Sequence, residues 1–321
     1  MKKLTKKTLM AIFALVLAVV ALGTTTYAWF TVGQSVAVDS FNMQVKSEEG
    51  IEIRYEGKSI NSNWSQYLDN ATFLERFGAD YSPTTLSDFR FDAVTSKDGQ
   101  TFKKLVMGSG DPTLADIAAD AVKADGSNII EFDLGFRTKK QNASLKWSGV
   151  TLSSTKSEWS PAKTYTHMTY DEILANSVKK DYYAHHAARV SVSKLVSGVE
   201  SDTIVYEADN TTGVNTNNTV LGNGSVLSGN WDKGAHGYFT AMTGKSLATA
   251  WAATDTTPKT ATTVTSLAAS PFVVTFGTVA DGDGYYTVSV TVRVYLEGFD
   301  HDAINGILGG TISLALEFSL A

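Results

Sequence analysis

The chain has 321 residues, 43% hydrophobic and 19% charged, with a formal net charge of −6 and no cysteine. That apolar share supports a folded core and excludes a disordered chain, and the acidic balance disfavours nucleic acid and anionic lipid as partners. The lack of cysteine excludes thiolate metal sites, iron–sulfur clusters, cysteine nucleophiles and a disulfide-stapled framework.

The first 28 residues hold Lys2, Lys3, Lys6 and Lys7, an apolar run from Leu9 to Leu22, and the small-x-small junction Thr26-Tyr27-Ala28. Basic, apolar, small-x-small is the pattern of a secretory signal peptide, here cleaved after Ala28. The alternative is an uncleaved anchor, but the run is short against the roughly twenty apolar residues of a span. Without those four lysines the chain stands at −10. Membrane contact is therefore expected only transiently, during export, and the mature chain, starting at Trp29, is expected to be secreted to the extracellular space or cell surface.

Residues 29–40 follow as a distinct N-terminal strand. Phe30, Val32, Val36 and Val38 place apolar residues at even positions, and Phe41, Met43 and Val45 place them at odd positions. A one-residue phase change turns every side chain to the other face. Either a bulge sits near Asp39-Ser40, or the segment is split, with Phe41–Val45 in the chain's own sheet and Trp29–Val38 free to pair elsewhere. In the second case Trp29, Phe30, Val32, Val36 and Val38 are the assembly residues.

Residues 41–321 read as a single domain, with insertions near 57–128 and 208–270. Within the first insertion, Trp64–Phe77 suggests a short helix. Asp111 as N-cap, Pro112 in the first turn and the stripe Leu114, Ile117, Ala118, Ala121 and Val122 predict a helix ending at Asp125-Gly126. Beyond it, Ile130, Phe132, Leu134 and Phe136 alternate with Glu131, Asp133 and Arg137. Tyr170–Val178 suggests another short helix. Val190 and Val192 alternate with Arg189, Ser191 and Ser193. Residues 208–230 and 240–270, rich in Asn, Thr, Gly, Ser and Ala, read as long loops or irregular edge strands. Phe272–Thr278 and Tyr285–Glu297 flank Asp281-Gly282-Asp283-Gly284, which reads as a hairpin turn.

The C-terminus carries the strongest pattern. Tyr286, Val288, Val290, Val292, Val294 and Leu296 share one face, opposite Thr287, Ser289, Thr291, Arg293 and Glu297. Ile312, Leu314, Leu316, Phe318 and Leu320 then alternate with Thr311, Ser313, Ala315, Glu317 and Ser319. Period two over such lengths predicts strands with one buried and one wet face, as in antiparallel sheets. The expected fold is all-β: an antiparallel, jelly-roll-like β-sandwich with short inserted helices and long loops.

Thr-Tyr-Ala-Trp-Phe at 26–30, the strand after it and Glu49-Gly50-Ile51-Glu52-Ile53 resemble secreted surface proteins of low-GC Gram-positive bacteria. More specifically, they are similar to the TasA/camelysin group of biofilm-matrix proteins. The stretches Val292–Asp302 and Ala-Ala-Arg-Val-Ser-Val (187–192) resemble recurring segments of secreted proteins from the same bacteria. The resemblance covers about a third of the chain. It implies a jelly-roll sandwich polymerising head-to-tail by donor-strand complementation, so that the partner is a second copy of the chain. This chain is longer than the usual members, its excess lying in the two insertions.

Enzymatic signatures are missing: no G-x-S-x-G elbow, H-E-x-x-H helix, P-loop or post-strand G-x-G-x-x-G occurs. No cofactor is expected, with one exception. Glu297, Asp300 and Asp302 fall within six residues, with Asp281 and Asp283 in the preceding turn, and such carboxylates are candidate calcium ligands. His185 and His186, adjacent in an expected strand, should face opposite ways. Trp147, Trp159, Trp231 and Trp251 are expected in the core. A structural subunit of an extracellular filament or matrix fibre is the leading expectation. The alternatives are a monomeric surface adhesin or glycan-binding module, and a hydrolase with paired carboxylates.

Overall fold

A computed structural model of the chain describes residues 36–45, 50–57, 61–80, 90–117, 129–167, 171–208, 233–248, 250, 262–264, 266–267, 272–308 and 310–321. The expected signal peptide and Trp29, Phe30 and Val32 lie outside the described residues, as do Trp231, Trp251 and the stretch 209–232.

The alternating segments form two sheets. One runs in the order β17 (Val273–Thr275), β9 (Ser144–Ser154), β19 (Thr311–Leu320), β1 (Val36–Val45) and β3 (Tyr67–Leu68), with β4 (Arg90–Phe91) also on β1. The other runs β16 (Thr262–Val264), β15 (Val199–Glu207), β14 (Ala188–Val196), β18 (Tyr286–Glu297), β8 (Ile129–Thr138) and β2 (Ile51–Glu56), with β5 (Ala93–Val94) on β18. Pairing is mainly antiparallel; β1 with β19, β15 with β16 and β5 with β18 are parallel. The fold is an all-β sandwich. Among the described residues, no helix is long and apolar enough to cross a membrane.

The apolar faces anticipated from period two meet between the sheets. Val290, Val292, Val294, Leu134 and Phe136 from one sheet, and Ile312, Leu316, Phe318 and Trp147 from the other, are all buried in one cluster. Phe136 and Phe318 touch across the layers, ring centroids 4.8 Å apart. Trp147 reaches Tyr206 at 6.4 Å. Trp159 is half-buried against Tyr182 and Tyr238. Helix α1 (Asn70–Asp80) closes one end. Asp69 caps it, accepting the Thr72 amide at 2.7 Å, and Phe73 wedges between Tyr55 and Phe132 at 5.7 and 4.8 Å.

Several local readings are corrected. Thr113–Asp116 is a strand, β7, antiparallel to β6 (Lys103–Val106), where the capped stripe predicted a helix. Residues 118–128 lie outside the description. Asp171–Ile173 is strand β12, paired with β11 (Tyr165–His167), and not helical. Gly234–Thr243, read in part as loop, is helix α2. The Asp281–Gly284 turn is closed as expected, by Asp281 N on Tyr285 O and Gly277 N on Thr287 O, but β17 and β18 belong to different sheets and the chain crosses between them there. In β1 the register on β19 slips between Val38 and Ser40, so a bulge marks the phase change, and Val36–Val38 pair within the chain's own sheet.

The polar face of β18 is wet only at its start, where Thr287 is exposed and Ser289 half-buried. Thr291, Arg293, Tyr295 and Glu297 are each 3% exposed or less. The segment Val94–Phe102 folds over them. Phe102 packs edge-on against Tyr295 at 4.9 Å, Gly99 O accepts the Ser191 hydroxyl, and Gln100 bonds Thr203. Gly99 lies at φ +69°, and a Cβ there would meet Val205 Cγ2 at 2.8 Å, so this close approach needs glycine. Beneath the segment Arg293 is neutralised by Glu131 at 2.7 Å and Glu200 at 2.5 Å.

A candidate functional site of buried charges and histidines

β14 and β15 place Arg189 opposite Glu207, and β14 and β18 place Arg189 opposite Tyr295. At the end of β18 the chain turns back through Gly298–Ala303, held by Gly298 N to Val94 O, Asp300 N to Glu297 O and Ala303 N to Asp300 O. The turn delivers Asp300 beneath Arg189, whose Nη2 donates to Asp300 Oδ2 at 2.5 Å and lies 3.2 Å from Glu207 Oε1. Nη1 donates to the carbonyls of His186 and Ala188. Arg189 is 2% exposed, and Glu207 and Asp300 are fully buried. Burial opposes the guanidinium charge, but Glu207, Asp300 and Glu297 outweigh it and hold Arg189 charged. Burial pushes Glu297 up to about 8, against the Phe299 amide that its carboxylate accepts. Burial likewise pushes Asp300 up to about 7, against the pull of Arg189.

The chain holds five histidines, and all five gather beside this turn. His167 Nε2, on β11, stands 3.4 Å from Asp302 Oδ1, and His186 Nδ1 stands 3.7 Å from Asp302 Oδ2. His236 Nε2, on α2, donates to the Phe299 carbonyl at 2.9 Å, and its ring centroid lies 5.1 Å from that of His301. His185 Nδ1 bonds the Ser154 hydroxyl at 2.8 Å. The 185–186 pair is not in a strand. Ala184–His186 forms a single 3₁₀ turn, which brings the two rings to 4.4 Å instead of setting them on opposite faces. Burial lowers His185 to about 4, His301 to about 4 and His236 to about 3, and lowers His186 as well. Asp302, against its burial, is held below its ordinary value by His167, His186 and His301.

The three candidate calcium ligands are thus side by side in the fold but aimed apart. Glu297 turns to the Phe299 amide, Asp300 to Arg189, and Asp302 to His167 and His186. Among the described residues no group of three or more His, Cys, Asp or Glu side chains is placed to hold a metal ion. The positive charge at this strand end comes from Arg189. Asp281 and Asp283 sit apart in the exposed crossing turn, where Asp281 Oδ1 accepts the amides of Asp283 and Tyr285. Of the assembly residues, Val36 and Val38 lie in β1, against β4 and β19 respectively. Glu207 and the histidines of β11 and α2 were not singled out in advance as site residues. The one sequence cue to Glu207 is an arginine heading a strand of small and apolar residues, which calls for a buried acid.

No family model matches the chain, no curated protein is similar to it, and no solved structure matches it.

Proposed function

We propose that the chain is a structural, non-catalytic subunit of an extracellular filament or biofilm-matrix fibre, built on a jelly-roll-like sandwich and assembled by donor-strand complementation. The observation that supports this best is the placement of β1. The first strand lies parallel to the last, β19, with its register broken at Asp39. Strands from opposite ends of a chain are held together by main-chain hydrogen bonds and side-chain packing alone, so the same segment of a second copy can fill the same place. Among the described residues, the other edge of β1 meets only the two-residue strands β3 and β4. Trp29–Val38 carries no charge, as a segment added to a sheet edge requires. Head-to-tail addition of this kind does not close on itself and propagates as a filament.

The test is deletion of Trp29–Val38, followed by negative-stain microscopy and circular dichroism. Soluble monomers with an intact β spectrum are expected. Fibres that persist would place assembly elsewhere, and an unfolded product would make the segment an ordinary core strand.

A second reading, a monomeric surface adhesin or glycan-binding module, draws on one feature. An open cleft of about 560 Å³ is lined by Thr164, Thr166, Glu172, Gly237, Thr240 and Ser246. Hydroxyls and one carboxylate suit the hydroxyl groups of a sugar. Under this reading the intact chain is monodisperse in the same micrographs.

A further inference from the structure

The turn Gly298–Ala303 and the 3₁₀ turn Asn305–Ile307 carry the chain from β18 in one sheet to β19 in the other. This crossing is fastened at one end of the sandwich by Arg189 on Asp300, by Gly298 N on Val94 O, and by histidines and their neighbours. His236 bonds Phe299 O, and Ala235 N bonds His301 O at 2.8 Å. His167 and His186 flank Asp302. His301 is 1% exposed, and neither of its ring nitrogens makes a hydrogen bond of normal geometry. Two pairs of imidazoles stand with centroids 4.4 and 5.1 Å apart, so charging both members of either pair sets like charges against each other in a water-poor site.

We propose that this cluster is an acid-operated latch. With neutral rings it holds the 298–307 crossing against α2, β11 and the Ala184–His186 turn; with charged rings it releases the crossing while the two sheets stay paired. The proposal stands on the cluster's geometry and does not depend on whether the chain polymerises.

The groups that face the latch come from every element around it. They are His167 with Tyr165 on β11, and Tyr182 and Tyr183 on β13 (Lys180–Tyr183); Asp171 of β12 is the register partner of His167. Lys233 precedes α2, while Arg189, Glu207, Glu297 and Asp300 form the adjoining charge cluster. A histidine depressed by burial leaves the unfolded or opened chain holding more protons below about pH 6.5, so closure weakens as pH falls from there toward about 4. Glu297 and Asp300 act in the opposite sense, because their raised values let the closed form take up protons first. Asp302 favours the charged form of the rings beside it and moderates the release. The histidine contribution therefore has to be read as a difference between wild type and histidine variants.

The experiment is hydrogen–deuterium exchange of the purified chain at about pH 7.5 and about pH 4.5, corrected for intrinsic exchange. Amides of Phe299–Ile307 and Gly234–Thr243 should lose protection on the order of tenfold at the lower pH, with β8, β14 and β18 unchanged. His301→Asn, and separately the double variant His185→Gln with His186→Gln, should each remove much of that acid sensitivity. Should the first variant fail to fold, the second, at the less buried pair, carries the test. Loss spread over all strands, no loss at all, or variants with undiminished acid sensitivity would overturn the latch. So would protection of the same amides by equimolar Zn²⁺ at neutral pH, which would make the cluster a metal site.

Discussion

Arg189→Met is expected to lower the unfolding free energy by about 3–5 kcal/mol, the range for removing one partner of a buried ion pair. Met keeps the aliphatic stem but lacks the guanidinium, so Asp300 and Glu207 remain in the interior without their cation and the carbonyls of His186 and Ala188 lose their donor. Urea unfolding of the purified chain followed by circular dichroism measures it. The deficit should shrink as pH falls from about 8 toward about 5, because carboxylates without a cation have raised values and neutralise themselves by taking up protons. Adding Asp300→Asn and Glu207→Gln to the same chain should restore part of the loss. A variant as stable as wild type at pH 8 would mean that the guanidinium is not the charge that organises this end of the sandwich.

Gly234→Ala should be nearly as damaging, about 2–5 kcal/mol in sum, for a different reason. Gly234 has φ +54°, where an L side chain costs about 1–2 kcal/mol. An added Cβ would also lie 2.7 Å from both the carbonyl oxygen and the Cβ of His301, an overpacking worth about 1–3 kcal/mol. The oxygen is backbone and is itself bonded to Ala235 N, so it cannot swing aside as a flexible side chain would. Thermal unfolding shows the effect as a lowered midpoint. Gly282→Ala, at a position with nothing within 4 Å of an added Cβ, serves as the control and should be close to neutral.

The strands were legible where one face is buried by a neighbouring layer and local alternation reports it directly. Val288–Leu296 and Ile312–Leu320 name their own inward residues, and those residues form the core. The opposite face of β18 was assigned to water because Thr291, Arg293 and Glu297 are polar. Its burial depends on a segment about two hundred residues earlier in the chain, and alternation carries no information about what lies beyond the sheet. At 111–116 a good cap and an apolar stripe pointed to a helix. Pairing with Lys103–Val106 overrode that local preference, and the Gly108-Ser109-Gly110 turn between the two strands was the cue for a hairpin. Helix α2 was obscured by Gly234 and Gly237, which lower helix propensity and suggest a loop. The histidine cluster draws on five positions from 167 to 301 and is assembled only by the topology. A lone histidine in a sequence gives no sign of which others it will meet.

The proposed filament is tested most directly by asking whose β19 the N-terminal strand lies on. Ala37 and Thr311 are register partners, and paired strands run about 4.8 Å apart, within reach of a disulfide. The chain contains no other cysteine to confuse the result. The Ala37→Cys, Thr311→Cys double variant is assembled, oxidised and run on a non-reducing gel. Donor-strand complementation predicts a ladder of covalent multimers that collapses on reduction. A single monomer band carrying the internal cross-link, from material that still forms fibres, would contradict it.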